Sequence, residues 1–111
     1  MKKIMNLAAV AICLSIFSSI GFADSNLGTA YCRAAAMQSG YGIDNARAAC
    51  TNIKSEGEGL CRAAAIKSGY GIDNSRSACI DVKSEAEGIC RAGAIQSGYG
   101  IENSRNACSD L

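Results

Sequence analysis

The chain has 111 residues, eleven Lys/Arg against ten Asp/Glu, no His, no Trp and no Pro. That length holds one small domain, and a formal charge of +1 argues against bulk electrostatic binding to nucleic acid or an anionic membrane. Without His, a Ser or Cys nucleophile would have to use Lys or a carboxylate as its base.

The first 23 residues read as a targeting segment. Lys2 and Lys3 form a basic start, residues 4–20 are almost wholly apolar, and Gly21 and Ala23 place small side chains before Asp24. This is the pattern of a cleaved secretory signal peptide. The competing reading is an uncleaved anchor, since residues 4–23 are long enough to span a bilayer. Cys13 follows Ile12, a poor residue for a lipid-attachment site. Cleavage leaves residues 24–111 with nine Lys/Arg, ten Asp/Glu and six cysteines. An even cysteine count in a short exported chain reads as a disulfide framework. The only aromatic residues left are four Tyr, so the core must come from Ala, Ile, Leu, Val and Cys. Such small side chains bury little area, and covalent staples are expected to matter.

From there the chain repeats itself. Cys32, Cys61 and Cys90 step by 29 residues, as do Cys50, Cys79 and Cys108, and residues 57–82 match residues 86–111 at 18 of 26 positions. Three tandem units are expected, at about 27–55, 56–84 and 85–111. Within the middle unit, residues 56–68 are Ala-rich and favour helix. Gly69 sits where a left-handed residue would end it. Gly71 allows a sharp reversal, and residues 72–83 resume a helical spacing through Ile72, Cys79 and Val82, with Asp73 in the favourable first turn. Each unit is therefore a helical hairpin turning on Ser-Gly-Tyr-Gly. At the joints, Ser55-x-x-Glu58 and Ser84-x-x-Glu87 fit capping boxes that start a fresh helix. Against this, Ile72, Ser75, Cys79, Val82, Ala86, Ile89 and Gly93 keep a 3-4 spacing that one continuous helix over 72–97 would satisfy. The broken joint is favoured because Gly57, Gly59 and Gly88 weaken a continuous helix. The fold expected is all-α, with three tandem 29-residue helical-hairpin repeats forming a short disulfide-stapled solenoid or compact bundle.

Six cysteines allow fifteen pairings. Cys32 and Cys50 are equidistant from Tyr41, Cys61 and Cys79 from Tyr70, and Cys90 and Cys108 from Tyr99. In antiparallel hairpins such pairs lie side by side, which favours Cys32–Cys50, Cys61–Cys79 and Cys90–Cys108. The rival scheme joins Cys50 to Cys61 and Cys79 to Cys90 and strands Cys32 and Cys108. The cysteine spacings do not resemble zinc-ligand pairs, and no Cys-x-x-Cys is present. No metal, cofactor or redox chemistry is expected.

Two outward rows are the candidate partner-binding residues. Tyr41, Tyr70 and Tyr99 recur at the turns, either as rings packed over a helix end or as a ladder along one edge. Arg33, Arg62 and Arg91 follow each leading cysteine with no acid at i+3 or i+4, so they could face a carboxylate- or phosphate-bearing partner. A second series, Arg47, Arg76 and Arg105, has Asp44, Asp73 and Glu102 three residues before it, the spacing of a helical ion pair. Asn45, Asn74 and Asn103 are placed in the first turn of each second helix, as caps. Tyr31 occupies the place of Leu60 and Ile89 and is expected in the core or as a cap.

The arrangement is similar in kind to the cysteine-rich helical-hairpin repeat proteins exported by bacteria, although its period and cysteine spacing are its own. No nucleophile elbow or phosphate loop is present, and an enzyme is not expected. The leading reading is a non-catalytic binding or structural protein of the periplasm or exterior, with a protein or cell-envelope partner. The alternative is a small secreted effector or toxin acting on a host or competing cell.

Overall fold

The computed structural model describes residues 25–111; the expected signal peptide, residues 1–23, lies outside them. Six helices follow in order: α1 Ser25–Gln38, α2 Ile43–Ala49, α3 Glu56–Lys67, α4 Ile72–Ala78, α5 Glu85–Gln96 and α6 Ile101–Cys108. No strand occurs among the described residues. Long and short helices alternate. The long helices pack in the order α1, α3, α5 and the short ones in the order α2, α4, α6, with each short helix also against its own long partner. The result is two helical layers with the core between them.

Local chemistry explains each boundary. Gly40, Gly69 and Gly98 have φ of 94°, 93° and 97°, a region that costs a side-chain-bearing residue but not glycine. The next residue's N–H reaches back five positions, Tyr41 to Ala36 at 2.9 Å and Tyr70 to Ala65 at 3.0 Å, while Gly40 donates to Met37 and Gly69 to Ile66. This pair of bonds is the Schellman ending, and it satisfies the carbonyls that a helix end leaves open. Two residues after each left-handed glycine the chain re-enters helix, with Gly42, Gly71 and Gly100 at the N-cap and no side-chain cap. Asn45, Asn74 and Asn103 do lie in those first turns, but as exposed residues without a capping bond.

The joints are broken, and new helices begin. Ser55 Oγ accepts from Glu58 N and Ser84 Oγ from Glu87 N, both at 3.1 Å. The Glu side chains reach one residue further back than a standard capping box, accepting from Lys54 N at 3.0 Å and Lys83 N at 2.8 Å. The short helices stop earlier than the spacing predicts: α4 ends at Ala78, not near Lys83. The backbone leaves helix at the C-cap cysteines, Cys50 with φ -116° and Cys79 with φ -120°, and two residues later Asn52 and Asp81 are left-handed, both at φ 58°, a conformation that Asn and Asp tolerate better than other side chains.

Three disulfides join Cys32 to Cys50, Cys61 to Cys79 and Cys90 to Cys108, each with Cα atoms 5.7 Å apart. This is the pairing that symmetry about the turns selects. Each of two apolar clusters surrounds one disulfide and is completed by the next hairpin. Cys32 and Cys50 pack with Ala36, Ala46, Ala49, Ile53 and Ile66; Cys61 and Cys79 pack with Ala64, Ala65, Ala78 and Ile95. Between the long helices the backbones nearly touch. A Cβ on Gly59 would lie 2.1 Å from the Gly28 carbonyl oxygen, and one on Gly88 2.2 Å from the Gly57 carbonyl carbon. Glycine at these crossings is a packing requirement, not a helix preference.

Candidate functional site

Residues 31, 34, 35 and 38 of α1 share one helix face, because side chains three, four and seven apart line up. The same holds for 60, 63, 64 and 67 of α3 and for 89, 92, 93 and 96 of α5. These twelve positions line one groove of 540 Å³ across the three long helices. One edge carries Tyr31, Leu60 and Ile89. The floor is Ala34, Ala35, Ala63, Ala64, Ala92 and Gly93. The other edge carries Gln38, Lys67 and Gln96. Tyr31 is 40% exposed and Ile89 55%, so Tyr31 is a groove residue and not the core or capping residue that its place in the sequence suggests. The groove offers apolar contact, two amides and one ammonium.

The arginines behave differently from the expected row. Arg33 is exposed, but Arg62 and Arg91 are 5% and 4% exposed. Each ties its own helix to the preceding hairpin. Arg62 Nη1 donates to the carbonyls of Ala49 and Thr51, and Arg91 Nη1 to those of Ala78 (3.3 Å) and Ile80 (2.8 Å). Their Nη2 atoms meet Glu58 at 3.0 Å and Glu87 at 2.6 Å. The early stop of the short helices is what leaves those carbonyls open. Arg62 and Arg91 are thus removed from the partner-binding candidates: they are buried inter-hairpin clasps. Their acids sit at i−4, the favourable Glu-before-Arg order, where a search at i+3 and i+4 does not look.

Charge states follow from this burial. Desolvation lowers the Arg62 pKa most; Glu58 opposes the shift and nearby Arg76 adds to it. Burial pushes the Glu87 carboxyl up, but the Lys83 N–H, the Arg91 hydrogen bond and the charges of Arg91 and Lys83 outweigh it and leave its pKa below the ordinary carboxylate value. Both Glu–Arg contacts are buried i,i+4 ion pairs. The expected Asp44–Arg47, Asp73–Arg76 and Glu102–Arg105 pairs do not form. Arg105 instead donates to the Ser77 carbonyl of the preceding hairpin at 2.8 Å.

The tyrosines form a ladder, directed inward along the stack. Tyr41 Oη donates to the Tyr70 carbonyl at 2.8 Å and Tyr70 Oη to the Tyr99 carbonyl at 3.1 Å. Tyr41 and Tyr70 pack on the two clusters, while Tyr99 is 52% exposed. Two of the three phenols therefore link hairpins, and Tyr99 alone keeps an open face.

No family model, curated protein or solved structure matches the chain. Among the described residues no group of three or more His, Cys, Asp or Glu converges as a metal site would, and no helix is long and apolar enough to cross a membrane.

Proposed function

We propose that the protein is an exported, disulfide-stapled helical repeat protein that holds an apolar segment of a protein or cell-envelope partner in its long-helix groove, without catalysis. The hairpins are read as three units of a short solenoid, an architecture whose extended faces commonly serve as binding surfaces. Three disulfides suit an oxidising compartment, periplasmic or extracellular. The observation that carries the reading is the groove itself. It runs over the same face of all three long helices and leaves Tyr31 and Ile89 in solvent. Lys67 on its rim gives a carboxylate on the partner a place to pair.

Gly93 offers a test that separates binding from folding. A Cβ there meets nothing within 4 Å, so a side chain can leave the backbone at this position unhindered, and Gly93→Leu is expected to occupy the groove. Replacing glycine inside a helix is also worth up to about 1 kcal/mol in propensity. The variant is expected to melt at or above the wild-type temperature and to lose any partner that wild type captures by cross-linking from envelope extract. Equal capture by both proteins, or capture of nothing by wild type, would sink the proposal.

A further inference from the structure

The two outer ends of the stack differ from its interior at the contacts that join hairpins. Each long-helix crossing uses two glycines, one from each side: Gly28 with Gly59, and Gly57 with Gly88. The middle unit carries both kinds. The first unit keeps Gly28, which faces inward, but has Ala30 where the others have Gly59 and Gly88. The third keeps Gly88, which faces inward, but has Ala86 where the others have Gly28 and Gly57. Ala30 and Ala86 are both exposed. If a further unit stacked on either end in the same way, an alanine Cβ would take the place where a Cβ added to Gly28, Gly57, Gly59 or Gly88 would lie 2.1 to 2.8 Å from backbone atoms, well inside contact distance.

The other inter-hairpin contacts change in the same places. Glu85 Oε2 accepts from Gly57 N at 2.9 Å; position 27, the counterpart in the first unit, is Leu. Glu58 and Glu87 hold the clasping arginines; position 29 is Thr, and Arg33 is left exposed. Ile66 and Ile95 are each 2% exposed, inside the preceding cluster, whereas their counterpart Met37 is 53% exposed. At the far end the Ser109 carbonyl, counterpart of the Thr51 and Ile80 seats, already accepts from Lys83 Nζ at 3.1 Å.

From this pattern we infer that the array is closed at three units: both end faces reject another copy, so the chain acts as a discrete monomer and meets partners through its side. The middle unit is the one interchangeable part. Terminal units of stacked arrays generally differ from internal ones because they face solvent. Here the departures fall on the outer faces while the inner-face glycines are kept. The inference rests on the stacked-unit reading and not on the groove.

Light scattering of the oxidised protein over a wide concentration range is expected to give the mass of one chain throughout. A concentration-dependent series of multiples would overturn closure. Two insertions test the cause. A second copy of residues 56–84, placed after residue 84, is expected to yield a four-unit monomer that melts at or above the parent temperature. A second copy of residues 27–55, placed after residue 55, puts Ala30, Leu27 and Thr29 in an internal interface and is expected to melt below it. Equal melting temperatures for the two insertions, or a lost transition for the middle-unit insertion, would contradict the assignment.

Discussion

Replacing Cys61 and Cys79 together by Ala is expected to destabilise the protein more than the same change at Cys90 and Cys108. Both bridges close loops of equal sequence separation, 18 residues, so the loss through chain entropy is the same for each, about 3 kcal/mol. The surroundings differ. Cys61 and Cys79 are fully buried, packed among Ala64, Ala65, Ala78 and Ile95. Cys90 is half-buried at the end of the stack. Removing sulfur atoms from a closed cluster adds a cavity cost, of order 1–2 kcal/mol here, that the open end can relax away. Summed, three staples contribute on the order of 9 kcal/mol, comparable with the whole stability of a domain this size. Full reduction is therefore expected to abolish the folded state. Urea denaturation of the two double variants checks the difference. Equal midpoints would place the entire effect in the unfolded chain.

The second large effect concerns a clasp. Arg91→Met leaves Glu87, 1% exposed, as a buried charge without its guanidinium, and leaves the carbonyls of Ala78 and Ile80 without that donor. Breaking a buried pair from one side costs about 3–5 kcal/mol. The pH dependence gives the mechanism a signature. In the wild type the Glu87 pKa is lowered despite burial. Its contribution is then fully present above the unfolded carboxylate pKa of about 4.3 and is lost as pH falls through the lower folded value. In Arg91→Met the burial that raises the pKa faces less opposition, so acid neutralises the stranded carboxylate. The cost of the substitution is expected to be large at neutral pH and much smaller in acid, measured by urea titrations at both. A cost that does not change with pH would show that lost packing, not the stranded charge, explains it.

Much of this fold is legible in the chain. The equal distances of the paired cysteines from Tyr41, Tyr70 and Tyr99 fix which ones can meet across a hairpin, and the Ser-x-x-Glu segments mark where helices restart. What was illegible depends on relations between units. Arg62 and Arg91 look like surface cations because their acids precede them and because their carbonyl acceptors become open only when the short helices stop at Ala49 and Ala78. The tyrosines were legible as turn residues, but not as donors to the next turn, since that bond needs the stacking distance. Gly57, Gly59 and Gly88 read as helix weakeners from propensity alone; their role is the close approach of neighbouring backbones, a tertiary constraint that overrides propensity. The groove was written as a 31/34/35/38 spacing repeated in each long helix, but small residues on a helix face do not say whether that face is covered.

Each hairpin is closed on itself by its own disulfide, and the hairpins are then clasped together by Arg62 and Arg91. Mass mapping of the unreduced protein tests this arrangement most directly. The expected result is peptides linked through Cys32–Cys50, Cys61–Cys79 and Cys90–Cys108, with no free thiol among these six. Bridges from Cys50 to Cys61 or from Cys79 to Cys90 would contradict it.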